Sequence, residues 1–278
     1  MKNNKVEIAQ YFYDAQQLNK PIDRFYISNE FCELQLPLIS KITKILKLLE
    51  KSKKKATLVL PPISSFFIKK IKSLIKVCSN YSCCDEVVVN DWGMIEFLSK
   101  NHPDLEPVIG RLTAHQPLYT GHKHKFIKDT IGKIEVEEIK KIIQDYGIKR
   151  IELNNSFKLI DPHDNIFNRK FIGSLHYPYV YITHALHNCA FQYCEDKNIN
   201  LENPLSCRIN CERYALIFSY ERKYNLFKEF DGNIILKGKT KFLKIDNLKN
   251  LKQKWINRLV VHPSININDV LKCKYTNK

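Results

Sequence analysis

Short β-rich runs alternate with helical stretches along most of the chain, and this alternation constrains the fold more than any other feature. Residues 24–28, 57–60, 86–90, 107–110, 150–153, 179–183 and 233–236 read as strands, rich in β-branched, aromatic and other apolar residues. Between them, residues 39–49, 65–77, 94–100 and 136–146 carry apolar side chains at helical spacing. Asp145-Tyr146-Gly147 reads as a helix end with a glycine cap before the strand that starts at Arg150. Strands that alternate with helices build parallel sheets. The run Glu86-Val87-Val88-Val89 is nearly continuously apolar, as expected of a strand covered on both faces. The expected fold is a TIM-barrel-like parallel β/α barrel, closed or incomplete, forming a single domain over residues 1–278. Neither a GxGxxG nor a GxxxxGK[ST] pattern follows any strand, which argues against a Rossmann or P-loop nucleotide site.

The 278 residues are 44% hydrophobic and 27% charged, enough apolar content for a full core. No stretch approaches the roughly 18 uncharged apolar residues that a membrane span needs. An apolar signal region is missing ahead of Asp14, so the expected location is the cytoplasm. The formal charge is +16, from 45 Lys+Arg against 29 Asp+Glu. Such an excess suits nucleic acid, yet much of it has a simpler reading. Eleven lysines and one acid, Glu50, lie between Lys41 and Lys76. The apolar period of Ile42, Ile45, Leu46 and Leu49 places most of those lysines on a solvated helix face. Beyond Lys237 the chain is again Lys-rich, and its end is expected to fray.

Nine cysteines are many for a reducing compartment, where structural disulfides are rare. Cys207 and Cys211 form a CxxxC, close enough for both thiolates to reach one metal ion or cluster. Cys189 follows the strand at 179–183, and Cys32 follows the strand at 24–28 in the same sense. A barrel that gathers its functional groups at the C-terminal strand ends brings Cys32, Cys189, Cys207 and Cys211 to one face. Four thiolates suit a 4Fe–4S cluster or a structural zinc; four buried unligated thiols are the competing reading. Cys194 is the rival to Cys189 as the second ligand. Cys78, Cys83, Cys84 and Cys273 read as bystanders. His184 with His187, and His122 with His124, lack the HExxH spacing of a zinc enzyme. A serine-hydrolase GxSxG elbow is missing as well.

Val87-Val88-Val89-Asn90-Asp91-Trp92-Gly93 and Pro107-Val108-Ile109-Gly110-Arg111-Leu112 are similar to the "VNDWG" strand end and the following "GRL" turn of the collagenase-like U-32 peptidase family. His176-Tyr177-Pro178-Tyr179-Val180-Tyr181-Ile182-Thr183 and Asn188-Cys189-Ala190-Phe191 resemble its "YPY-x-x-TT…RCAF" segment. Cys207-x-x-x-Cys211 matches its closing cysteine pair. Tyr26-Ile27-Ser28-Asn29-Glu30-Phe31-Cys32 is similar to the "YLGE-x-x-C" of the branch that includes the ubiquinone-biosynthesis hydroxylation proteins. The resemblance covers most of residues 24–215.

It implies a TIM-barrel-like fold and a 4Fe–4S cluster on Cys32, Cys189, Cys207 and Cys211. It also implies a part in oxygen-independent hydroxylation of a small aromatic or an RNA substrate, with a related barrel protein as a partner in a hetero-dimer. Collagenase-like peptidase activity is the alternative carried by other members. A basic nucleic-acid-binding module with a structural zinc site of four cysteines is a third reading, based on the charge. Asn90, Asp91 and Arg111 close two adjacent strands on the face expected to be active, which makes them candidates for substrate binding. An Asp91–Arg111 pairing is as good a reading of those two.

Overall fold

The computed structural model describes residues 6–115, 134, 136–155, 171–185, 189, 211, 215–219, 233–245, 248–268 and 270. Seven strands follow one another around a barrel: β1 (Glu7–Tyr11), β2 (Arg24–Ser28), β3 (Lys55–Val59), β4 (Cys84–Val89), β5 (Glu106–Ile109), β6 (Arg150–Asn154) and β7 (Ile172–Tyr177). A second sheet then intervenes, made of β8 (Tyr179–His184), β9 (Leu216–Ser219), β10 (Asn233–Lys237) and β11 (Thr240–Lys244). It is antiparallel, in the order β8-β11-β10-β9. Finally β12 (Ile256–Val261) inserts in parallel between β7 and β1. The barrel is therefore closed, with eight parallel strands, and the incomplete form allowed by the sequence does not occur.

The helices α1 (Ile39–Lys51), α2 (Ile68–Cys78), α3 (Trp92–Asn101), α4 (Arg111–Ala114) and α5 (Glu137–Asp145) lie between barrel strands. The two lysine-rich helices form because their apolar residues fall on one stripe. Ile42, Leu46 and Leu49 of α1, and Ile71, Leu74 and Ile75 of α2, are fully buried. Lys41, Lys44, Lys47, Lys51, Lys69, Lys72 and Lys76 face solvent, as the period predicts. Gly147, at φ +63, turns the chain from α5 toward β6. Among the described residues, no helix is long and apolar enough to cross a membrane.

Strand alternation sorts side chains to the two faces of the barrel wall. Ile8, Phe25, Leu58, Val87, Val89 and Ile151 point outward into the main core beneath the helices. Ala9, Tyr26, Val59, Val88, Val108 and Val260 point inward and fill the middle of the barrel. Below this apolar layer, toward the strand N-termini, the interior is ionic. Arg258 grips Glu86 with both terminal nitrogens at 2.7 and 2.8 Å, and Arg24 and Arg150 approach the same carboxylate at 3.3 and 3.4 Å. Glu7 bridges Arg24 at 2.9 Å and Arg258 at 2.6 Å. Asp85 holds the outer side of Arg24. Buried charges persist only when paired in this way.

Two expected barrel strands turn out to lie elsewhere. Residues 179–183 and 233–236 belong to β8 and β10 of the antiparallel sheet, so Cys189 does not follow a barrel strand. The Lys-rich region past Lys237 supplies β11 and the closing strand β12. The chain end at residues 275–278, expected to fray, lies outside the described residues, as does Cys273.

Candidate functional site

The loop after β2 starts with a strained residue. Ser28 has φ +86, a left-handed conformation costly for a side chain with a Cβ, and it turns the chain abruptly out of the barrel wall. Asn29 then caps the loop: its Oδ1 accepts the backbone N–H groups of Phe31 and Cys32 at 2.8 and 2.9 Å. A short 3-10 turn over Glu33–Gln35 follows. The Glu33 carboxylate accepts the N–H of Ser64 at 2.8 Å, tying the loop to the segment beyond β3.

Opposite this loop stands the hairpin of β10 and β11. Gly238 opens its two-residue turn at φ +61, where glycine is favoured. Cys211 packs directly beneath it, with 3.4 Å between its Cβ and the position a Gly238 Cβ would take. Phe31 joins the two sides. It packs edge-on against Phe242 at 5.2 Å between centroids, near Tyr181 and His184, and under the Arg111 guanidinium at 5.1 Å.

Between loop and hairpin lies a cavity of about 80 Å³. Cys32, Cys189 and Cys211 all line it, together with Asn29, Gln35 and hairpin residues 237–239. Cys189 and Cys211 touch and are buried, while Cys32 is half-buried. The Gln35 side-chain amide donates to the Cys211 sulfur at 2.9 Å. Three cysteines far apart in sequence thus border one space on the C-terminal side of the barrel. Cys207 and the rival Cys194 lie outside the described residues.

The thiols fit a thiolate-held group in kind, and Gln35 supplies the N–H···S bond such a group uses. Among the described residues, no three His, Cys, Asp or Glu side chains are grouped closely enough to hold a metal ion. A single zinc needs its ligands about 2.3 Å from one point, whereas a cubane spreads its thiolates over several irons. Cys32, Cys189 and Cys211 border a cavity rather than a single point.

The candidate substrate residues lie at the adjoining barrel mouth. Asn90 follows β4 and is hydrogen-bonded to the backbone around it. Its Nδ2 donates to the Leu60 carbonyl at 2.9 Å, and its Oδ1 accepts from Leu112 and Thr113 at 2.9 and 3.4 Å. A Cβ on Gly110 would come within 2.2 Å of that oxygen, so only glycine lets the two strand ends close up. Gly110→Ala is expected to lower stability by about 1–3 kcal/mol, read as a fall in the urea midpoint at constant m value.

Asp91 caps α3, its Oδ1 accepting from Met94 at 3.2 Å. Arg111 is 5% exposed and pairs with Glu30, 2% exposed. Its Nη2 and Nε reach Glu30 Oε2 at 2.6 and 3.1 Å, and Nη1 donates to the Tyr179 carbonyl at 3.2 Å. The partner of Arg111 is therefore Glu30, not Asp91. Burial alone would raise the Glu30 carboxyl, but the Arg111 and His176 charges and the Arg111 hydrogen bonds hold it below its ordinary range.

Sequence reasoning missed several polar groups in the barrel interior leading to this mouth. Glu152, fully buried, accepts from Tyr26 at 2.8 Å and meets His176 Nε2 at 2.6 Å. Tyr11 donates to Glu30 at 3.2 Å. Burial lowers the His176 imidazole from its ordinary value, more than its contact with Glu152 raises it. A signal did exist, since Glu152 sits inside the apolar run Ile151–Leu153. His184 bonds Thr240 at 2.9 Å, and burial followed by Lys239 pushes it to about 4, so it is neutral at pH 7. His122, His124 and His187 lie outside the described residues.

Cys78 and Cys84 are buried away from the cavity, packed among α2 and β4. Cys83 donates to the Leu46 carbonyl at 3.6 Å, and burial pushes its thiol up to about 12. Such thiols are poor ligands and poor nucleophiles.

Fold and cavity together define a parallel β/α barrel with a cysteine-lined cavity on its C-terminal side. Among solved structures the chain is similar to the U32 peptidase Mk0906, with 10% identity and a TM-score of 0.48 over 96% of each chain. It is also similar to CutC of Streptococcus agalactiae, described as a putative copper homeostasis protein. There the identity is 12% and the TM-score 0.39, over 62% of this chain and 87% of that one. No protein-family profile matches the sequence, and neither does any curated protein. Likeness at this level carries no argument about chemistry.

Proposed function

We propose that this chain is an iron–sulfur barrel protein that acts in, or assists, an oxygen-independent hydroxylation of a small aromatic or RNA substrate. The observation that carries the reading is the meeting of Cys32, Cys189 and Cys211 around one cavity beside the barrel mouth. Cys207, four residues before Cys211 in the CxxxC, completes the proposed ligand set. A 4Fe–4S cluster held by these thiolates would exchange electrons one at a time, and the two electrons that hydroxylation removes from the substrate would pass to it or to the oxygen donor. The motif resemblance described above supplies the hydroxylation part of the reading.

The chain's own residues then shape the place where a substrate lies. Asn90 holds the start of α4, and Asp91 holds the start of α3. Arg111 is spent on Glu30 and Phe31, so its proposed contribution is to fix the wall shared by mouth and cavity. The hydrophobic and aromatic side chains around Phe31 keep water away from that wall.

The test is anaerobic purification followed by iron and acid-labile sulfide analysis and a visible spectrum. About four irons and four sulfides per chain are expected for a cubane, and Cys211→Ser is expected to lose most of them. A colourless protein holding zinc would replace the cluster by a structural site. Full iron retention in both Cys32→Ser and Cys211→Ser would overturn the ligand assignment. RNA as the substrate class further predicts binding that weakens steeply as salt rises, given the +16 charge.

A further inference from the structure

We infer that Gln35 is a positioning residue that tunes the redox potential of the cavity's metal group through a hydrogen bond to the Cys211 sulfur; the inference rests on the cluster reading. Three observations support it. The Gln35 Nε2 lies 2.9 Å from Cys211 Sγ, and both side chains border the cavity. The other end of the amide is occupied, because Asn29 Nδ2 donates to Gln35 Oε1. A carboxamide whose oxygen is already accepting has only its N–H groups left to offer the sulfur. The same Asn29 accepts from the Cys32 N–H through its own oxygen. One asparagine therefore sets both the loop that carries Cys32 and the donor that faces Cys211.

The consequence is electrostatic. Reduction adds negative charge to a thiolate-held cluster, and an N–H···S bond stabilises the more negative state preferentially. Gln35 is only half-buried and belongs to a short turn, so its aliphatic part contributes little to the core. Removing its donor changes the poise of the group more than it changes the fold.

The experiment uses the full chain, purified anaerobically, as wild type, Gln35→Leu and Gln35→Glu. Iron and sulfide are measured first, then the midpoint potential by optical titration. Gln35→Leu is expected to load iron like the wild type but to favour the oxidised form about tenfold, equivalent to about 59 mV for one electron. Gln35→Glu, which exchanges the donor for an acceptor, should shift at least as far in the same direction. A loaded Gln35→Leu with the wild-type potential would overturn the role of Gln35 and leave the cluster reading intact. A wild type that takes up no iron and sulfide would overturn both.

A wild-type measurement covers variants that fail to load. With side-chain 15N-labelled glutamine, electron–nuclear double resonance of the reduced protein should show a glutamine nitrogen coupled to the cluster. A spectrum without that coupling would overturn the proposal.

Discussion

Glu86→Gln should be among the most destabilising single substitutions in the barrel, by about 3–5 kcal/mol, because it removes the charge on which buried arginines converge. Arg258 clasps the carboxylate through both terminal nitrogens, and Arg24 and Arg150 lie within 3.4 Å of it. Thr57 adds a hydrogen bond at 3.1 Å. Glutamine keeps the shape but leaves three guanidinium groups facing one another with less negative charge between them. Urea unfolding at neutral pH should show a lower midpoint, and the melting temperature should fall by roughly 10 °C for a domain of this size.

The same carboxylate predicts a pH dependence. Burial by itself would raise the Glu86 pKa, but Arg258, and then Arg24 and Arg150, hold it at about 2 against an ordinary 4.5. The folded value is the lower one, so the stabilisation is fully present above pH 4.5 and is lost as pH falls toward 2. It amounts to about 3 kcal/mol on the order-of-magnitude scale of 1.36 kcal/mol per pKa unit. Between pH 5 and 2 the wild type should lose more stability than Glu86→Gln. Equal slopes for the two proteins would show that Glu86 does not carry the effect.

The second large effect is expected at the opposite end of the barrel. Arg111→Met should cost about 3–5 kcal/mol, because it leaves Glu30 buried without its cation. Tyr11 then remains as a side-chain donor to that carboxylate, at 3.2 Å. Adding Glu30→Leu should recover most of the loss, since a buried pair replaced by apolar groups of similar volume is often nearly neutral. Failure of the double variant to recover would mean that Arg111 acts through Phe31 or the Tyr179 carbonyl rather than through Glu30. The measured quantity is the coupling free energy from a double-mutant cycle. The folded Glu30 pKa is also depressed, so this pair likewise loses its contribution on acidification.

How legible was this molecule in its sequence? The strand at 24–28 was readable to the residue, since Arg24-Phe25-Tyr26-Ile27-Ser28 is dense in β-formers and buried on both faces. The helix start at Ile39 was equally plain, because the lysines of α1 alternate with a clean apolar stripe. By contrast, β1, β7 and β12 carried too mixed a pattern. Their inward positions hold Glu7, Ser174, His176 and Arg258, which are satisfied by partners on the neighbouring barrel strands. A polar residue paired with another strand looks locally like a surface residue, and single-strand periodicity cannot distinguish the two.

The candidate site divides in the same way. Cys32, Cys189 and Cys211 were selectable from spacing and from their places after strands. Cys189 reaches the cavity by a different route from the one its spacing suggests, since β8 belongs to the antiparallel sheet. Gln35 gave no signal at all, because its importance depends on a sulfur 176 residues away.

Local sequence by itself determined that apolar segments of alternating period would form strands and helices, and that these would stack as a parallel barrel. Tertiary structure alone decided that the barrel closes, that Arg111 pairs with Glu30, and that the three cysteines meet at one cavity. The physical reason is the range of the forces involved. Backbone propensity and amphipathic period act over a few residues and are written in each segment. Strand partners and buried charge pairs depend on low-dielectric contacts between segments far apart in the chain, which exist only once the whole barrel has assembled.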